Sequence, residues 1–191
     1  MTYWPPEAQM ALKMTHDISA ALLVGGVFFN YFLLRPTLKR IPPPQQAIVA
    51  TRIGHLFVYL AYGTLALLFI SGFLRLYQLG ILDLESGFGG FFHSNFFKAH
   101  FWETKYARWL LVMIGGWAVA IIDATILTFV TRPILLKRLT LTPRPTPAGM
   151  QERRENQVRV AEWLERVVLI NVIVTTAALI AGASLVYGGW I

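Results

Sequence analysis

The chain carries few side chains able to do chemistry, and their settings are unusual. His16, His55, Asp123 and Asn171 lie inside long apolar stretches, where a polar group costs free energy unless it faces a protein interior. His93, His100 and Lys105 lie close together between two such stretches. Imidazole binds haem iron, copper or zinc. Met10, Met14 and His16 fall within one or two helical turns, and thioether with imidazole suits Cu(I). His16, Met14, His93 and His100 are therefore candidate metal ligands, and His16, His100 and Lys105 candidate residues for a bound cofactor. The alternative assignments are plain ones: His16 bonded to a neighbouring helix, His93 and His100 solvated in a loop, Met10 and Met14 as apolar filler. The chain has no cysteine, so any haem is non-covalent and any metal rests on His, Met or carboxylate.

These residues need elements to hold them. Four apolar stretches, at about 10–34, 53–76, 106–131 and 161–187, are each long enough to cross a bilayer. With 55% hydrophobic and only 14% charged residues, the composition is that of an integral membrane protein. The expected fold is all-α, a single transmembrane four-helix bundle over residues 1–191.

The net charge of +7 does not point to nucleic acid, because it is segregated. Arg35, Lys39, Arg40 and Arg52 crowd the first connection, and Arg132, Lys137, Arg138, Arg144, Arg153, Arg154 and Arg159 the third, whereas Asp83, Glu85 and Glu103 mark the second. This positive-inside pattern puts connections one and three in the cytoplasm and both termini on the extracytoplasmic side of a bacterial inner membrane. Residues 2–13 lack the charged and apolar regions of a cleavable leader.

Proline and aromatic residues set the connections. Pro42–Pro44 predicts a stiff polyproline-like link, and Pro143, Pro145 and Pro147 an extended third connection. A helix is expected from about Glu152, with Glu162 and Arg166 paired, running to Gly188–Gly189. The Phe- and Gly-rich segment 87–97 is expected to lie in the interface or cover the bundle mouth. Gly25–Gly26, Gly115–Gly116, Ala178 and Gly182 permit close helix packing.

Helical spacing puts His16 and Asn30 on one face, Lys105 and Asp123 on another, and Asn171 with Thr175, Ala178 and Gly182 on a third. His16 is about 28 Å from Arg35 along a helix, level with His100 and Lys105. His55, Asn30, Asp123 and Asn171 form a second polar group at the opposite depth. A di-haem cytochrome needs histidine pairs at two depths, and His55 stands alone at its own, so at most one bis-histidine haem fits.

Three runs resemble the CopD/HemJ-like membrane proteins. They are Lys13-Met14-Thr15-His16 with Leu22 to Phe29, Arg52 through Ile70-Ser71-Gly72, and Thr104-Lys105 followed by Tyr106 to Val112. The resemblance covers the four spans. It implies either a haem-b-associated oxidoreductase, protoporphyrinogen oxidase in the HemJ-type members, with His16 and Lys105 as the functional pair, or copper uptake as in the CopD-type members. The leading expectation is a haem-b-binding redox protein with His16 as axial ligand and His100 or Lys105 as second ligand or propionate partner. Copper handling is the second reading. The third is a non-catalytic subunit of a larger membrane complex, or a homo-oligomer, docking through aromatic residues 88–101. The lipid bilayer is the common partner, and no nucleic acid is expected.

Overall fold

The computed structural model describes residues 4–131 and 147–186. It is all-helical, with no strand among the described residues. The expected Arg132–Pro133 end of span three, most of the third connection and the Gly188–Gly189 end lie outside them.

Helix α1 runs Pro6–Phe28, widens into a π-helical stretch Phe29–Leu34 and finishes as Arg35–Leu38. Helix α2 is Pro43–Gln78, α3 Gly87–His93 and α4 Ala99–Trp102. Helix α5 is Lys105–Thr125, extended by a second π-helical stretch Ile126–Thr131, and α6 is Pro147–Val186. Among the described residues, four segments have the length and apolarity to cross a membrane: Pro6–Leu38, Arg52–Gln78, Lys105–Phe129 and Glu165–Leu185. The shortest has 21 residues, about 31 Å of helix and enough for the hydrocarbon core.

Proline starts two of these helices. Pro6 and Pro43 occupy first-turn positions, where a missing N–H costs nothing. The expected polyproline link therefore shrinks to Pro42 (φ −54°, ψ 140°), and Pro43 and Pro44 already belong to α2. Helix α6 is already helical at Pro147, ahead of its expected start near Glu152. Span one also passes its expected end at Arg35–Pro36. The π-helical widening just before Pro36 relieves the clash between a proline ring and the carbonyl one turn back. This π stretch ends two residues before Pro36, next to Arg35.

Helix α2 ends in a Schellman motif. Gly80 takes φ +69°, its N–H donates to the carbonyl of Tyr77, and the Ile81 N–H donates to that of Leu76. This turn launches the Phe-rich segment back over the bundle. Phe101 is buried with Ala107 and Leu110, against Leu76, Ile81, Phe96 and Trp102. Trp102 Nε1 donates to the carbonyl of Phe96 at 2.8 Å, and the Phe96 N–H to that of Ile81 at 3.1 Å. The aromatic residues thus form a folded cap on one end of the bundle, fixed to α2 and α5. That end is called the cap end below, and the opposite one the basic end.

The four spans close a ring in which each packs on two others: α1 on α2, α2 on α5, α5 on α6 and α6 on α1. The tightest approach is between α5 and α6. A Cβ added at Gly116 would lie 2.6 Å from Ala178 Cβ, so only glycine lets these helices meet so closely. Trp117 ties α5 to α2, donating from Nε1 to the carbonyl of Leu65 at 3.0 Å and stacking on Phe69. Large apolar side chains such as Leu56, Tyr59, Phe69 and Phe129 face outward, as helices in contact with lipid require. At the basic end Lys39 Nζ meets Glu165 Oε1 at 3.6 Å, and Glu162 and Arg166 form no ion pair.

Candidate functional site around His16

His16 lies on α1 in the cap-end half of the bundle, with its ring turned toward α2. Its Nδ1 is 2.9 Å from Ser71 Oγ. Ser71 is buried, and its Oγ is also 2.6 Å from the carbonyl of Leu67. That carbonyl can only accept, so the Ser71 hydroxyl hydrogen goes to Leu67 and Ser71 Oγ accepts from His16. His16 is therefore protonated on Nδ1, and the lone pair sits on Nε2. The same second-partner logic orients most metal-bound histidines.

The wall beside the ring is made by a small residue. A Cβ at Gly72 would come within 3.4 Å of His16 Cε1. Arg75 follows one turn after Ser71 on α2 and is half-buried. Its charge acts on both His16 and Tyr106, so α1, α2 and α5 all contribute to one polar locality. Arg75 makes no side-chain hydrogen bond or ion pair among the described residues. An imidazole lone pair and an uncommitted guanidinium thus share this part of the bundle. The pair suits a ligand with an electrophilic centre and an acidic edge.

The other candidates are placed differently. Met14 and Met10 are 50% and 63% exposed, and Met14 is about 200° around α1 from His16. Thioether and imidazole therefore point to opposite sides of the helix. His93 is exposed, with Nδ1 donating to the carbonyl of Gly89 at 2.8 Å. His100 is exposed on α4, and Lys105 is exposed on the first turn of α5. Neither forms a hydrogen bond with His16. Lys13 of the Lys-x-x-His run pairs with Asp17 at 2.8 Å on the exposed face. Among the described residues no three His, Asp or Glu side chains gather around a common point.

Sequence reading alone did not single out Ser71 and Arg75 for this site. The available signal was the i, i+4 spacing of Ser71 and Arg75 with Gly72 between them, a small polar face ending in a cation. A groove of about 530 Å³ between α1 and α2, lined by Gly25, Gly26, Phe29 and Phe57, is apolar and does not include His16. In the other half of the bundle, Tyr62 Oη, Asp123 Oδ2, Thr128 Oγ1 and Asn171 Oδ1 are buried without a hydrogen-bond partner among the described residues.

Set against known protein families, curated proteins and solved structures, the chain matches none of them.

Proposed function

We propose that the protein is a multi-pass membrane redox protein that holds haem b non-covalently, with His16 Nε2 as axial ligand. The observation that carries this reading is the chain of hydrogen bonds from His16 Nδ1 through Ser71 Oγ to the Leu67 carbonyl, which leaves Nε2 as a free donor atom inside the bundle. The donor set fits the group. Imidazole is a common haem ligand, Gly72 gives a flat wall beside the ring, and Arg75 supplies a cation for a propionate. Arg75 takes the propionate role in preference to His100 or Lys105, which are exposed. Bound there, haem b supplies one-electron redox chemistry. The protein's own part is to orient the imidazole, hold the acidic edge and exclude water through the aromatic cap.

The resemblance to CopD/HemJ-like proteins supports the same reading and extends it to an oxidoreductase, with Lys105 as the residue that the resemblance pairs with His16. The distribution of basic residues supports an orientation with the cap end extracytoplasmic and the basic end cytoplasmic, as in a bacterial inner membrane. Copper binding by Met10, Met14, His16, His93 and His100 has less support, since Met14 and His16 diverge around α1. Docking to a larger complex through residues 88–101 also has less support, because Phe96 and Phe101 are spent on the cap.

The test is the haem content of detergent-purified protein by pyridine haemochromogen assay. Stoichiometric haem b is expected. Protein that remains haem-free after expression with added haem precursor contradicts the reading.

A further inference from the structure

The half of the bundle away from His16 holds a second polar place. Gly116 packs against Ala178, and these two helices run antiparallel. Asp123 is seven residues past Gly116 on α5, and Asn171 is seven residues before Ala178 on α6. Seven residues are two turns, so Asp123 and Asn171 return to the faces of Gly116 and Ala178 and reach the same level. Helix α2 adds Tyr62. Trp117 meets α2 at Leu65 and Phe69, and six residues further along α5 is Asp123. The same step along antiparallel α2 reaches residues 59–63, which contain Tyr62.

These three residues supply Tyr62 Oη, Asp123 Oδ2 and Asn171 Oδ1, all buried and all without a hydrogen-bond partner among the described residues. Asp123 forms no ion pair there. Thr128 Oγ1, a fourth orphaned oxygen, lies deeper toward the basic end in the π-helical stretch of α5. π-Helical turns are frequent at functional sites. Unpartnered oxygens from three helices at one level are costly in a lipid-embedded bundle unless they serve a ligand.

We propose that Tyr62, Asp123 and Asn171 form a binding site for a small hard monovalent cation, Na⁺, in the basic-end half of the bundle. An oxygen-only donor set selects hard cations over the softer metals that imidazole or thioether would take. One carboxylate balances one positive charge, so the occupied site is neutral, as hydrocarbon surroundings require. This site is independent of the haem reading, and its test needs no haem.

The test is thermal unfolding of the purified protein in detergent, titrated with NaCl against choline chloride at fixed ionic strength and pH. A ligand that binds only the folded state raises the midpoint with its concentration. A saturable rise specific to Na⁺ is expected in the wild type and should be absent in Asp123→Asn. Tyr62→Phe keeps the ring and removes one oxygen, so it should weaken the apparent Na⁺ affinity by about tenfold or more, by analogy with loss of one supporting group at a metal site. It also serves as the probe should Asp123→Asn fail to fold. No Na⁺-specific rise in the wild type overturns the proposal, as does an unchanged affinity in Tyr62→Phe. A carboxyl infrared band that is lost in Asp123→Asn and insensitive to Na⁺ gives the site to a proton and also overturns it.

Discussion

His16 Nδ1 and Ser71 Oγ meet at 2.9 Å across 55 residues of chain, and this contact decides which nitrogen of the imidazole can bind anything. Ser71 cannot donate to His16 without abandoning the Leu67 carbonyl at 2.6 Å. A serine chosen for helix packing alone would not need to be aligned with a histidine on another helix.

Ser71→Ala should release the ring. The tautomer is then no longer set, and haem affinity should fall by roughly tenfold, the low end of what loss of a supporting partner costs at metal sites. Ser71→Thr keeps the hydroxyl and should bind nearly as the wild type does. Haem titration of apoprotein followed at the Soret band distinguishes the two, and equal affinities for Ser71→Ala and wild type would remove Ser71 from the site.

The α5–α6 contact should tolerate nothing larger than glycine at position 116. The added Cβ in Gly116→Ala would meet Ala178 Cβ at 2.6 Å, closer than two carbons can pack. Separation of the helices should cost about 1–3 kcal/mol. Ala178→Gly in the same chain should recover most of that loss. Unfolding of single and double variants in a thermodynamic cycle gives the coupling, and additive effects would contradict close contact at this point.

The turn leading into the cap should loosen in acid. Ser86 donates to Asp83 through its hydroxyl at 2.8 Å and its N–H at 3.2 Å, and the Glu85 N–H donates at 3.0 Å. The Ser86 hydroxyl, followed by the backbone donors, holds the Asp83 carboxyl below its ordinary range in the folded chain. A carboxyl depressed on folding stabilises the structure above its unfolded pKa, and the contribution disappears as pH falls through the folded value. Hydrogen exchange at the Glu85 and Ser86 amides, corrected for intrinsic rates, should therefore lose protection on acidification below the usual carboxylate range. Asp83→Asn should show weaker protection that no longer depends on pH.

Helix α5 should depend on its cap at Thr104, whose Oγ1 accepts from the Ala107 N–H at 3.1 Å. Thr104→Ala should destabilise the protein by about 0.5–2 kcal/mol, and Thr104→Ser by much less. Denaturation midpoints of the two variants check this, and similar losses for both would point to packing of the threonine methyl instead.

Span number and type were legible because an apolar run of bilayer length leaves a helix little alternative. Interior placement of His16 followed from helical spacing, and Gly116 and Ala178 announced close packing by their size. Ser71 as the partner of His16 was not legible, since nothing local to either residue encodes an inter-helix register. Tyr62 was hidden for another reason: an aromatic on an apolar helix reads as packing, and only its orphaned hydroxyl marks it. The π-helical stretch before Pro36 escaped notice because a proline two residues beyond its end reads on its own as a helix stop. The aromatic cap was half legible. Its composition suggested a cover, but its attachment depends on the Gly80 turn and on the Ile81 and Phe96 pairing.

The central claim is that His16 Nε2 ligates haem b, and the most direct measurement is the optical spectrum of purified wild type and His16→Gly, each oxidised and dithionite-reduced, with and without added imidazole. A Soret band with sharp reduced α and β bands is predicted in the wild type, lost in His16→Gly and restored by imidazole, which can fill the cavity beside Gly72. A wild-type spectrum with no haem bands, or an unchanged Soret band in His16→Gly without imidazole, would contradict the account.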